Sequence, residues 1–130
     1  MTEFVHVAVA IDRPLAEVYA FAADPANLPR WASGLTTSLE RDGDEWVAES
    51  PIGRITIRFA PANDFGVLDH WVTLPTGSTE YNPVRAFADG SGAEFVFSVH
   101  RSPGFNDAQF AADVATVRAD LETLKALLER

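Results

Sequence analysis

Cysteine is absent from this 130-residue chain. That excludes disulfides, thiol nucleophiles and thiolate metal sites. Positive charge is scarce as well: ten Lys and Arg stand against nineteen Asp and Glu, for a net charge of −9. So acidic a chain is repelled by nucleic-acid backbones and by anionic membrane surfaces, and neither is an expected partner. No apolar run is long enough to span a bilayer, and the N-terminal MTEFVHVAVAIDRP lacks the basic stretch of a signal peptide. A cytoplasmic protein without membrane insertion is the expectation. Also missing are GxSxG, GxxxxGK, GxGxxG, HxxxH and HxH. Serine hydrolysis, phosphoryl transfer, nicotinamide binding and a metal centre are therefore not expected, and no cofactor is.

What is present fits one globular domain over residues 1–130. Hydrophobic residues make up 47% and charged residues 22%, enough apolar material for a core. There is no internal repeat, low-complexity tract or linker. FVHVAVAI, residues 4–11, alternates as a strand does. Asp12-Arg13-Pro14 opens a helix, LAEVYAFAA, and Asp24-Pro25 opens a second short one that ends near Trp31 and Gly34. Strands follow at about 36–41, 45–50, 54–60, 67–74, 79–88 and 93–101. Asp42-Gly43, Ile52-Gly53, Thr76-Gly77 and Gly90-Ser91 read as tight hairpin loops between them. PANDFG is a longer connection. The tail from Asn106 is the clearest helix. Asn106 and Gln109 have the spacing of a capping box. Phe110, Val114, Val117, Leu121, Leu124 and Leu128 then form one apolar stripe, with Asp113, Arg118, Asp120 and Glu122 largely off it. The class is α+β: a strand, two short helices, six strands and a long helix.

Three segments carry a resemblance: VAVAIDRPLAEVYAFAADPANLPRW, FGVLDHWVTLPTG and GAEFVFSVHRSPGFNDAQF with DLETLKALLE. They resemble the SRPBCC superfamily of helix-grip proteins, which includes START domains, birch-pollen-type allergens and polyketide cyclase/dehydrase-like proteins. The last two resemble a small bacterial subgroup of it. The resemblance implies a curved antiparallel sheet of about seven strands wrapped around the C-terminal helix, with a cavity between them. It covers lipid carriers, receptors and cyclases alike, so it leaves the activity open.

Hairpin loops can also assign faces, because directly opposed residues point the same way. A Gly90-Ser91 loop sets Ala86 opposite Phe95 and Val84 opposite Phe97. A two-residue Thr76-Gly77 loop sets Trp71 opposite Asn82 and Asp69 opposite Val84. An Ile52-Gly53 loop pairs Trp46 with Phe59, and an Asp42-Gly43 loop pairs Leu39 with Trp46. These registers put Val5, Val7, Val9, Ile11, Trp46, Ile57, Phe59, Asp69, Trp71, Asn82, Val84 and Phe97 on one inner face. His6, His70 and His100 then fall on the outer face with Leu68, Val72, Tyr81, Phe87 and Val96. So apolar an outer face would suit a homodimer through the sheet.

The expected ligand site is a cavity lined by Trp46, Ile57, Phe59, Asp69, Trp71, Asn82, Val84 and Phe97, with Phe110 and Val114 from the helix. It would take a largely hydrophobic small molecule, lipid-like or aromatic. Its polar end would lie near Asp69 and Asn82. Alternatively, Asp69 is the general acid/base of a cyclase/dehydratase-like enzyme, or a structural carboxylate. In a third reading the outer sheet face is a protein–protein surface and the cavity is only core.

Overall fold

The computed structural model describes residues 1–32 and 39–130. Strand β1 (Phe4–Ile11) leads into helix α1 (Leu15–Ala22). A 3-10 turn (Pro25–Asn27) runs into the single-turn α2 (Leu28–Trp31). The Asp24 side chain caps this pair by accepting from the Ala26 N–H. Strands β2 (Glu40–Asp42), β3 (Glu45–Ser50), β4 (Gly53–Phe59), β5 (His70–Thr73), β6 (Thr79–Asn82), β7 (Val84–Asp89) and β8 (Gly92–His100) follow, and α3 (Asp107–Leu128) ends the chain. Part of the strand expected at 36–41 lies outside the described residues. At α3 both halves of the Asn106–Gln109 capping box form. Among the described residues no helix is long and apolar enough to cross a membrane.

The strands form two antiparallel sheets, ordered β1-β8-β7 and β2-β3-β4-β5-β6. The strand expected over 79–88 is broken at Pro83, making eight strands among the described residues where seven were expected. Proline has no N–H to give to a ladder. Before it, β6 pairs with β5; after it, β7 pairs with β8, so the chain changes sheet there. Val67 bridges to Arg85, and the Leu68 N–H donates to the Val84 carbonyl, which keeps the two sheets contiguous.

Most hairpins keep side chains on their expected faces. Val84 lies opposite Phe97 and Ala86 opposite Phe95, as the Gly90-Ser91 loop implies. Trp46 lies opposite Ile57 rather than Phe59, and Arg41 rather than Leu39 lies opposite Trp46. Each is a slip of two residues, which leaves every side chain on its original face. The fourth hairpin slips by one. Thr73 pairs with Thr79, so the turn holds Pro75, Thr76 and Gly77, with Gly77 at φ +91°. Leu74 N–H donates to the Ser78 carbonyl to close it. A one-residue change reverses the faces of the strand before it. His70 and Val72 therefore share the inner face with Phe59, Ile57 and Asn82, while Trp71 pairs with Tyr81 on the outer face.

The main core lies between the first sheet and the helices: Val7, Val9, Ile11, Val84, Phe95 and Val99 against Val18, Leu28, Trp31, Phe110, Leu121 and Leu124. A second, smaller core holds Ala48, Ile55, Ile57 and Val72. Leu68 packs against the main core and Val72 belongs to the second. The expected apolar outer face thus loses both. It keeps Tyr81 and Phe87, which are exposed, and Val96.

Gly66 sits where this architecture is tightest. Its φ is +69°, its carbonyl accepts from the Ala86 N–H, and a methyl group added there would meet the Ala86 carbonyl oxygen. Gly77 also has positive φ but open space around it. Gly77→Ala should lose about 1–3 kcal/mol for the left-handed backbone alone. Gly66→Ala should lose clearly more. Urea denaturation of the two variants checks this, and equal losses would mean that 66–69 does not clasp β7.

Candidate functional site

Among the described residues Asp69 is the one buried charged residue, with 5% of its surface exposed. Its carboxylate is fully engaged. Oδ1 accepts from the Val84 N–H at 2.9 Å and from Arg85 Nε at 2.8 Å. Oδ2 accepts from Arg85 Nη2 at 2.7 Å and from the Tyr81 hydroxyl at 2.5 Å. Arg85 and Tyr81 are outer-face residues, so the carboxylate points away from the space under α3. Burial alone would raise its pKa, but the bonds from Arg85, Tyr81 and Val84 outweigh that and hold it down to about 2. The expectation that the Asp69 side chain points into the space between the sheet and α3 is corrected. A carboxylate that accepts four hydrogen bonds in an ion pair is a brace. The Tyr81 hydroxyl, donating to it, has its own pKa raised.

His70 takes the inward place. Its ring lies 6.0 Å from Phe59 and 5.7 Å from Phe97, centre to centre. Burial drives its pKa down to about 4, with the Leu68 carbonyl and the Asp69 charge pulling weakly the other way. It is a neutral imidazole at physiological pH.

Two cavities flank this residue. The smaller, about 40 Å³, is bordered by Tyr19, Phe59, Asp69, Val84 and Phe95 among others. The larger, about 320 Å³, lies between α3 and the second sheet. Leu28, Trp31, His70 and Phe97 border both and so form the partition between them. Apolar walls of the large cavity come from Ile55, Val72, Leu74, Val99, Val117 and Leu121, with Pro51 and Ile52 of the β3–β4 turn. Ile52 is 65% exposed, which puts that turn at the rim. Polar groups gather around the ends of β6 and β8 and the middle of α3: Glu80, Asn82, His100, Asp113, Thr116 and Asp120.

Of the residues expected to line the cavity, Asn82 and Phe97 border the large one, and Phe59, Asp69, Val84 and Phe97 border the small one. Trp46 and Ile57 belong to the second core instead. Phe110 is buried in the main core, with Val114 packed against it. Trp71 is on the outer face, stacked 5.3 Å from Tyr81 with the Arg58 guanidinium 4.9 Å over its ring. These five do not border either cavity among the described residues.

The histidines divide differently from the expectation. His6 stays on the outer face, where Nδ1 lies 2.7 Å from the Ser98 hydroxyl. His100, at the end of β8, reaches the large cavity, and its Nε2 lies 3.5 Å from Glu80 Oε2. Asp113 faces this pair from α3. Burial raises the Asp113 pKa; His100 lowers it and Glu80 raises it further. The hydroxyl and carboxylate residues on α3 were legible as a set: Asp113, Thr116 and Asp120 recur at helical spacing. Polar residues there read as a solvated flank until the opposite wall is known.

The sequence from 3 to 129 matches the family model described as polyketide cyclase/dehydrase and lipid transport. No curated protein matches. Among solved structures, DynU16, a protein from the dynemicin biosynthetic locus, is 17% identical with a TM-score of 0.72 over 97% of this chain. The chain spans 47% of the length of DynU16. Ara h 8.0201 is 13% identical with a TM-score of 0.69, and the match covers 98% of each chain. Protein CV1439 from Chromobacterium violaceum is 12% identical with a TM-score of 0.70, again over 98% of each chain. At these identities the likeness is one of fold, the helix-grip arrangement of sheet and long C-terminal helix.

Two acid transitions should be separable in stability. His70 is depressed from 6.5 to about 4, so its contribution is complete above pH 6.5 and is lost as pH falls towards 4. That loss is about 3 kcal/mol for a shift of this size. Asp69 is depressed from 3.8 to about 2, so its share, about 2 kcal/mol, disappears only below pH 4. Chemical denaturation from pH 7.5 to 4 should show the first loss in the native protein. His70→Asn should flatten that interval, and Asp69→Asn should not. A native profile already flat from 6.5 to 4 would place the His70 ring in water.

Proposed function

Because the chain belongs to the polyketide cyclase/dehydrase and lipid transport family, we propose that it binds a largely hydrophobic small molecule in the large cavity. The observation that carries this reading is the cavity itself. About 320 Å³ is within the ordinary size range of small-molecule sites. Its walls are aliphatic and aromatic, and its few polar groups are gathered rather than scattered. Apolar voids of this size are not left in a packed interior without loss of stability, since the lining atoms forgo dispersion contacts. Thr116 is an exposed position on α3 that borders the cavity, and its hydroxyl donates back to the Ala112 carbonyl.

A catalytic version of this reading does not rest on Asp69, whose carboxylate is held in an ion pair with Arg85. It would draw on Glu80, His100 and Asp113, the proton-transfer groups that border the cavity together.

Thr116 also gives the test. 1-Aminoanthracene, an apolar fluorophore that is neutral at pH 7, should bind with enhanced, blue-shifted emission. Thr116→Trp should fill the cavity from the helix side and weaken that binding at least tenfold while the melting temperature holds. Unchanged affinity in the variant would show that the probe sits elsewhere and would remove the cavity as the site.

A further inference from the structure

Only two buried polar side-chain atoms among the described residues have no hydrogen-bond partner, Trp31 Nε1 and His100 Nδ1. Both belong to residues that border the large cavity. Trp31 is 6% exposed, and its N–H can only donate. His100 presents Nε2 towards Glu80. In the neutral ring, the tautomer that gives Glu80 a donor leaves Nδ1 with a bare lone pair that can only accept. A buried donor or acceptor left without a partner costs about 1–3 kcal/mol, a cost that a bound molecule relieves. The cavity therefore asks for a molecule that donates at His100.

The charges around it say what kind of donor. The ionisable residues bordering the cavity are Glu80, Asp113, Asp120, His70 and His100; no Lys or Arg borders it among the described residues. Glu80, Asp113 and His100 Nδ1 are all acceptors and approach one another from β6, α3 and β8. Burial and the Glu80 charge disfavour an ionised Asp113 while His100 favours it, and a cation placed between the two acids would favour it further. A ligand carboxylate or phosphate would meet two or three acids and no basic side chain. A hydroxyl could donate once. An ammonium offers three donors, no lone pair and a positive charge. No group of three or more His, Asp or Glu among the described residues could hold a metal ion, so a metal is not the cation that fits.

Resting on the cavity-binding reading above, we propose that the ligand is an amphipathic amine: an apolar body between α3 and the second sheet, with its protonated amine received by Glu80, Asp113 and His100. An acceptor atom on the same molecule, a carbonyl or ether oxygen, would complete Trp31.

The test uses three matched probes at neutral pH: naphthylethylamine, naphthylethanol and naphthylacetate, titrated calorimetrically into the whole chain. The amine should bind at least tenfold more tightly than the alcohol, and the carboxylate most weakly, since one charged hydrogen bond is worth about that factor. Glu80→Gln and Asp113→Asn should each weaken the amine about tenfold and leave the alcohol within a factor of about three. The ranking is measured on the unaltered protein, so it stands if either variant fails to fold. A carboxylate that binds as tightly as the amine overturns the inference, as does an amine no tighter than the alcohol. In both cases, binding of the alcohol keeps the cavity as the site. If none of the three binds, the cavity-binding reading falls together with this one.

Discussion

The architecture turns on a buried carboxylate. Asp69 ties the segment after Gly66 to Tyr81 at the end of β6 and to Val84 and Arg85 at the start of β7. That is where Pro83 sends the chain from one sheet to the other and where the ladder lacks an N–H. A carboxylate left unpaired there would cost several kcal/mol, while one that accepts from a backbone N–H, a phenol and a guanidinium fork holds three segments in register. Arg85 is half-exposed, with 52% of its side chain accessible, so the brace is open to water on one side. This tempers the pairing energy, though not the geometry. The alternation of strand side chains does the rest. With Asp69 turned outward, His70 and Val72 must turn inward. The partition between the two cavities is thus a consequence of a bond made on the opposite face of the sheet.

The same residue shows what was legible in the sequence and what was not. The element order, the capping box at Asn106 and the β7–β8 register all follow from local signals, and the structure has them. The β2–β3 and β3–β4 hairpins slip by two residues without harm, because faces repeat every two. The β5–β6 turn differs by a single residue, and that was enough to exchange Asp69 with His70. The cue was in LPTGS: proline followed two residues later by glycine suits a three-residue loop with Gly in the left-handed position as well as a two-residue one. Neither turn type is favoured by the flanking apolar pattern, since Asp69, His70, Trp71 and Val72 give each face one ionisable and one apolar residue. Local sequence was silent at the one place where parity mattered.

The polar wall of the cavity was hidden for a different reason. Asp113, Thr116 and Asp120 flank the apolar stripe of α3, and a helix that packs its stripe against a flat partner leaves such residues in water. Here the partner is not flat. α3 packs on β1 and β8 of the first sheet and on α2, while the large cavity lies between it and the second sheet. The flank is then roofed over at a distance. Likewise Glu80 and His100 each lie at the end of a strand, where twist lets a side chain reach a neighbour that pairing alone would not predict. Hairpin registers describe strands in their regular middle and lose force at those ends.

Why the helix can span a void without collapsing into it follows from where it is held. At its N-terminal end Arg101 bonds Asp107, Glu3 and the Phe105 carbonyl, and lies over the Phe110 ring. At its C-terminal end Lys125 donates to the Ala10 carbonyl, and Glu129 accepts from Lys125 and from the Asp12 N–H. Both anchors engage the two ends of β1. Phe110 is buried just inside the first anchor, and Leu121 and Leu124 just inside the second. Between them residues 113–120 carry little of the core, with Val114 and Val117 only partly buried. A rigid rod fixed at both ends need not fill the space beneath its middle, since bending it inward would break backbone hydrogen bonds that the rod already has. The positions released from packing are those whose side chains face the cavity, and there the chain places two carboxylates and a hydroxyl instead of leucines.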